Sequence, residues 1–170
     1  TWFWLGDQDV AKHILRTEML RDGKSITDVT IEFAQALGVA ANVLPMSDQP
    51  VATLIETADG LLDFQSYFVR RQHADRVLGV RFSGIDEALP TLDARQALEQ
   101  ATAIVLCPSN PIVSIGPILE LSGVRDRLRA SPVPVVAVSP IIAGQALKGP
   151  ADQMLATLGH EVSSSGVAAI

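Results

Sequence analysis

The sequence contains a single cysteine, Cys107, so an internal disulfide is impossible and a reducing, cytoplasmic setting fits best. The thiol follows an apolar run and precedes Pro108, with no histidine near it in sequence. That context favours a small buried hydrophobe at a strand end over a reactive nucleophile. No apolar stretch approaches the ~20 residues a membrane span needs, and no signal peptide is visible. Basic residues are the minority, 13 against 19 acidic, giving a formal net charge of −6. They form no extended run, so a nucleic-acid or anionic-membrane surface is a poor fit. There is no internal repeat, no low-complexity linker, no Walker-type Gly-rich loop and no dinucleotide fingerprint. No Ser-His-Asp or Cys-His arrangement can be assembled with any specificity, and His73 and His160 lack partners at metal-ligand spacing, which leaves both as surface residues.

What remains is a chain of 170 residues, 48% hydrophobic and 19% charged, enough for one ordinary domain with a real core. It opens on Thr1-Trp2-Phe3-Trp4-Leu5 without an initiator methionine and stops as abruptly at Ile170, so it reads as an excerpt of a larger protein.

Residues 1–40 have the pattern of a helical hairpin. Asp7 or Asp9 is a candidate N-cap for a helix reaching about Arg21, and Ser25 and Thr27 are candidate caps for a second that stops at Gly38. Residues 41–90 are β-rich: short strands are expected at 42–45, 52–57, 61–69 and 77–82, with Asp59-Gly60 as a hairpin signal between the second and third. Residues 91–170 alternate helix and strand, with helices at 94–101, up to 118–119, 124–129 and 151–158, and apolar strands at 103–106 and 133–138. Strands so uniformly apolar predict a mostly parallel sheet covered by helices on both faces, an α/β, Rossmann-like fold with the hairpins as additions.

Two loops directly follow those apolar strands. One contains Cys107, Pro108, Ser109, Asn110, Pro111 and Ser114; the other runs from Ser139-Pro140 to Lys148-Gly149-Pro150. In open α/β sheets ligands collect at the carboxyl ends of strands, where two such loops face one crevice. Hydroxyl and carboxamide groups with helix N-termini suit a phosphate-bearing ligand, although strand-Pro-Ser turns are also common connectors. In the first helix His13, Arg16 and Thr17 share one face, an arrangement that is usually just solvated. Asp7 and Asp9 suit capping better than metal binding, and Asp48 in Met46-Ser47-Asp48 is equally a turn former.

At these segments the chain resembles the 2-phospho-L-lactate transferase family of deazaflavin coenzyme synthesis, including its phosphoenolpyruvate-using members. The resemblance is carried by Leu5-Gly6-Asp7-Gln8-Asp9, Arg16-Thr17-Glu18, Leu44-Pro45-Met46-Ser47-Asp48, Phe64-Gln65 with Tyr67-Phe68-Val69-Arg70, Pro108-Ser109-Asn110-Pro111, Ser114-Ile115-Gly116-Pro117, Ser139-Pro140-Ile141-Ile142 and Lys148-Gly149-Pro150. These stretches run in order through nearly the whole chain. The resemblance implies transfer of a phospholactyl or phosphoenolpyruvyl unit from a guanosine-diphosphate-activated donor to the side-chain hydroxyl of the deazaflavin precursor Fo, releasing GMP, commonly with Mg²⁺. It implies that Pro108, Ser109, Asn110, Ser114, Ser139 and Lys148 lie at the guanine nucleotide. Asp7 and Asp48 would serve the reacting groups, and Trp4, Asp9, Arg16, Thr17, Met46 and Ser47 the deazaflavin side. It also implies a possible homodimer.

Several positions depart from the family pattern. Its Gly-rich phosphate loop and the Asp-containing metal segment that follows it are not in these residues, so the metal ligands are expected mostly upstream of Thr1. Trp4 stands where a polar or basic residue is frequent, Gln49 where an acidic one is, and Ala143 where glycine is. The competing expectation is a non-enzymatic regulator that binds a nucleotide-linked metabolite on the same type of fold.

Overall fold

A computed structural model describes residues 3–170; Thr1 and Trp2, the start of the aromatic opening, lie outside them. Helix α1 (Asp7–Arg21) is capped at Gly6, not at Asp7 or Asp9. A capping side chain must sit on non-helical backbone. Both aspartates are already inside the first turn, where their charge instead complements the helix dipole. Helix α2 (Ile26–Ala36) starts with a full capping box: Ser25 accepts from the Asp28 N–H, and Asp28 accepts from the Ser25 N–H in return. The two helices pack together as the hairpin expected. Yet α1 buries no residue at all, and Ile14 on its apolar side is 61% exposed.

Strands β1 (Ala52–Thr57), β2 (Gly60–Asp63) and β3 (Gly79–Ser83) form an antiparallel sheet in the order β2-β1-β3. Thr57 pairs with Gly60, so Ala58-Asp59 is the two-residue hairpin turn. The strand expected over 61–69 ends early, at Asp63. There the carboxylate accepts from the Ser66 N–H (2.9 Å) and hydroxyl (2.6 Å), and the chain turns into the π-helical segment Ser66–Arg70. A local side-chain bond has displaced the ladder. The strand expected at 42–45 does not form either. Its neighbour is no strand edge but Thr91, whose hydroxyl donates to Pro45 O and whose N–H donates to Met46 O.

The rest is α/β. Helix α3 (Leu92–Gln100) is capped by Thr91, and β4 (Ile104–Leu106) follows. A π-helical turn (Pro111–Ile115) then runs into α4 (Gly116–Glu120) and α5 (Val124–Arg129) before β5 (Val135–Ala137). A small hairpin of β6 (Ile141–Ile142) and β7 (Gln145–Ala146) precedes α6 (Ala151–Thr157) and α7 (Ser164–Ala168). β4 and β5 pair in parallel, from Ile104↔Val135 to Leu106↔Ala137. Burial on both faces does not hold among the described residues: Val105 is 58% and Val136 51% exposed. A two-stranded sheet has too few neighbours to cover its own apolar faces.

The main core lies where the antiparallel sheet meets the C-terminal helices. Ile55, Tyr67, Met154 and Leu155 are fully enclosed there, and each buried side chain of this size contributes about 1.5–3 kcal/mol. A smaller cluster of Ala88, Leu121 and Val124 sits apart, with Met46 packed on it. The two halves meet closely at Gly116, where an added Cβ would stand 3.2 Å from the Phe82 ring. Two sequence expectations change. Cys107 is exposed, because the end of β4 opens on a cleft. His73 is half-buried, with its ring 5.6 Å from that of Phe68.

Candidate active site

The loop after β4 is organised by Asn110. Its Oδ1 accepts from the N–H groups of Ile112 (2.9 Å) and Val113 (3.2 Å), capping the turn that Pro111 begins. Its backbone oxygen accepts from Ser114 and Ile115, both at 3.1 Å. Its Nδ2 points to the sulfur of Met154 at 3.3 Å. Asn110 is thus engaged within the protein, while Pro108 and Ser114 are exposed and Ser109 is half-buried.

In the loop after β5, the Ser139 hydroxyl accepts from the Ile141 N–H (3.1 Å) and donates to Ile141 O (3.3 Å). The tip of the β6–β7 hairpin is Ala143-Gly144, at φ +50° and +77°. Both residues occupy the left-handed region that glycine adopts freely and alanine does not. Lys148 is exposed beyond the hairpin, and the next residue, Gly149, has left-handed backbone (φ +70°) against the Phe68 ring.

These loops meet. Cys107, Ser109 and Pro111 from the first and Val138 and Pro140 from the second line one cleft, backed by Val167 and Ile170. Its volume, about 50 Å³, admits only a small group.

The residues expected on the acceptor side sit elsewhere. On α1, Asp9 pairs with Lys12 (2.9 Å), Asp7 accepts from the Gln8 N–H (2.9 Å), and the Thr17 hydroxyl donates back to His13 O (2.7 Å). Arg16 is exposed and Trp4 is 84% exposed. Thr17 and His13, with Val10 and Ile14, line an open groove of about 700 Å³ along the helix. In the turn before β1, Ser47 is buried and exchanges hydrogen bonds with Gln49, whose Oε1 also accepts from the Leu89 N–H. That role needs only an acceptor oxygen, which glutamine supplies. Met46 faces the smaller core cluster.

Asp48 remains exposed, but it is not free. Its Oδ1 accepts from both the N–H (2.8 Å) and the hydroxyl (2.9 Å) of Thr27, which clasps the turn to the start of α2. The sequence placed Thr27 as a helix cap; its true partner lies 21 residues away and left no local signal. No hydrogen bond among the described residues joins Asp7, Asp9 or Asp48 to the two loops. Nor do the described residues contain a group of three or more His, Cys, Asp or Glu side chains able to hold a metal. Such a donor set suits Mg²⁺ only where substrate phosphates and water supply most of the ligands.

The stretch after the π-helical segment Ser66–Arg70 has left-handed backbone. Gln72 and His73 have φ of 52° and 48°, and Arg71 bridges Asp59 (2.8 Å) and Asp75 (2.9 Å). Burial, and secondarily the Asp75 charge, pushes the Tyr67 hydroxyl above its usual range. No helix is long and apolar enough to cross a membrane among the described residues.

Comparison with known proteins gives the arrangement a context. The chain is 46% identical over 164 residues to the 2-phospho-L-lactate transferase of Methanosarcina mazei, covering 96% of this chain and 54% of that protein. It is 39% identical over 171 residues to the phosphoenolpyruvate transferase of Kitasatospora aureofaciens, covering 98% and 53%. The chain therefore spans about half the length of the curated relatives it matches. Two crystal structures of the Bacillus halodurans protein BH3568, described in one as a UPF0052 family member, share the fold. One has TM-score 0.60 and 20% identity over 88% of this chain and 47% of that one; the other has 0.56 and 22% over 70% and 37%. A family model described as 2-phospho-L-lactate transferase CofD matches residues 3–169, and the chain belongs to that family.

Proposed function

We propose that the whole protein transfers a phospholactyl or phosphoenolpyruvyl unit from a guanosine-diphosphate-activated donor to the side-chain hydroxyl of Fo. The observation that carries this is the family match over residues 3–169, with relatives named for both kinds of unit. Within the chain, it is supported by the meeting of the two strand-end loops at one cleft, the position at which open α/β sheets bind ligands.

In the proposed reaction the acceptor hydroxyl oxygen forms a bond to the phosphorus that carries the C2 oxygen of the lactyl or enolpyruvyl unit. The phosphoanhydride bridge breaks, its oxygen leaves with GMP, and the hydroxyl proton passes to a base or to water. Such a transfer depends on positioning and on neutralising the non-bridging oxygens more than on a strong nucleophile. In this reading Ser109, which lines the cleft, and the exposed Ser114 and Lys148 would serve the nucleotide phosphates. Asp48 presents a carboxylate oxygen, Oδ2, that Thr27 leaves unused; it is suited to accept the hydroxyl proton or to share in holding Mg²⁺, whose chemistry would be to offset phosphate charge.

The test is incubation of the full-length protein with Fo, the guanosine-diphospho donor and Mg²⁺, followed by mass spectrometry. A phosphodiester of Fo carrying the lactyl or enolpyruvyl unit is expected, and its mass tells which unit was transferred. Absence of that product while an authentic relative is active in parallel, with nucleotide still bound, would favour the regulator instead.

A further inference from the structure

We propose that Thr27 is a positioning residue for the transfer, acting through Asp48; this rests on the role just given to Asp48. An exposed aspartate on a turn ordinarily samples several rotamers. Here one oxygen is held twice, by an N–H and a hydroxyl of the same residue, at 2.8 and 2.9 Å. Two bonds from one anchor fix the direction of the carboxylate and leave Oδ2 without a hydrogen-bond partner among the described residues.

The alternative is that Asp48 simply caps α2. The helix does not depend on it for a cap, because Ser25 and Asp28 already complete a reciprocal capping box there. Ser25 serves the Asp28 N–H, which leaves the N–H of Thr27, at the second helical position, as a spare donor. That donor and the adjacent hydroxyl both go to a side chain 21 residues away. Helix α2 is thus held by its own cap, and the Thr27 pair holds the turn.

The experiment is steady-state kinetics of the full-length protein with both substrates, on Thr27→Val, Thr27→Ser and Asp48→Asn, with melting temperatures alongside. Valine matches the shape and keeps the N–H but removes the hydroxyl; serine restores it. Thr27→Val is expected to lower kcat about tenfold, with donor KM and melting temperature near those of the parent, and Thr27→Ser is expected to recover most of the loss. Combining Thr27→Val with Asp48→Asn is expected to cost no more than Asp48→Asn alone, since both act through one carboxylate. An unchanged kcat in Thr27→Val beside a slow Asp48→Asn overturns the positioning role and leaves the role of Asp48 standing. Full activity in Asp48→Asn overturns both. A kcat loss that serine does not recover, or that follows the melting temperature, makes Thr27 a structural residue only.

Discussion

The side-chain nitrogen of Asn110 lies 3.3 Å from the sulfur of Met154, a residue with no exposed surface, so the first loop is tied directly to the main core. The other end of the same side chain caps the turn through Ile112 and Val113. In the proposed nucleotide site Asn110 would therefore act through the shape of the loop, leaving Ser109 and Ser114 for contact.

Replacing Asn110 with alanine removes the cap and leaves two turn N–H groups unserved. A stability loss of about 1–2 kcal/mol is expected, together with guanine-nucleotide affinity at least about tenfold weaker in the full-length protein. Thermal melts and a GDP titration measure the two. Aspartate at the same position retains the capping oxygens, so it is expected to recover part of the stability while its charge keeps phosphate affinity low. Unchanged affinity in both variants would remove this loop from the nucleotide site.

Ala143 sits at φ +50° at the tip of the β6–β7 hairpin, where an L side chain costs about 1–2 kcal/mol relative to glycine's freedom. Ala143→Gly is expected to raise stability by about 1 kcal/mol, after the greater unfolded-state entropy of glycine is set against the relieved strain. Denaturant unfolding reads the change directly, and a loss of stability would mean that the strain is absent.

Three glycines separate steric from conformational cost. At Gly166 a Cβ would meet Glu161 O at 1.8 Å, and at Gly84 (φ +83°) it would meet Pro50 O at 2.4 Å. At Gly23 (φ +87°) it would meet nothing within 4 Å. Alanine at 166 or 84 is expected to cost about 3 kcal/mol or more, because backbone must move. At 23 only the dihedral penalty of about 1–2 kcal/mol applies. Equal melting temperatures for the three variants would contradict these close approaches.

The features legible in the sequence are those whose cause is local. Ser25 and Asp28 stand three apart and make the capping box, and the turn ahead of Gly60 closes the β1–β2 hairpin. The end of β2 was hidden because Asp63 and Ser66, two polar residues within a largely apolar stretch, bond to each other instead of letting the ladder continue. The exposure of Val105 and Val136 was also hidden: an apolar strand marks a surface that needs covering, and pattern alone does not say what lies over it. In the candidate site, both strand-end loops were legible from composition, but the clasp of Thr27 on Asp48 was not, because a contact across 21 residues has no period.

Acid titration tests the two local carboxylate motifs together. The hydroxyl of Ser25, and then its N–H, hold Asp28 below the ordinary aspartate value of 3.8, and Ser66 does the same to Asp63 in the same order. A depressed folded-state pKa means that the unfolded chain binds more protons as pH falls through 3.8. The stability from these bonds is therefore fully present above that value and is lost as pH drops through the lower folded values. Both groups are almost wholly exposed, so the effect is modest and best read as a difference. In melts between about pH 6 and pH 2, the double variant Asp28→Asn/Asp63→Asn is expected to melt below the parent at the upper end. The two curves should converge in acid, where the parent's carboxylates are protonated too. A gap that stays constant across the whole range would mean that neither bond is made by the charged form.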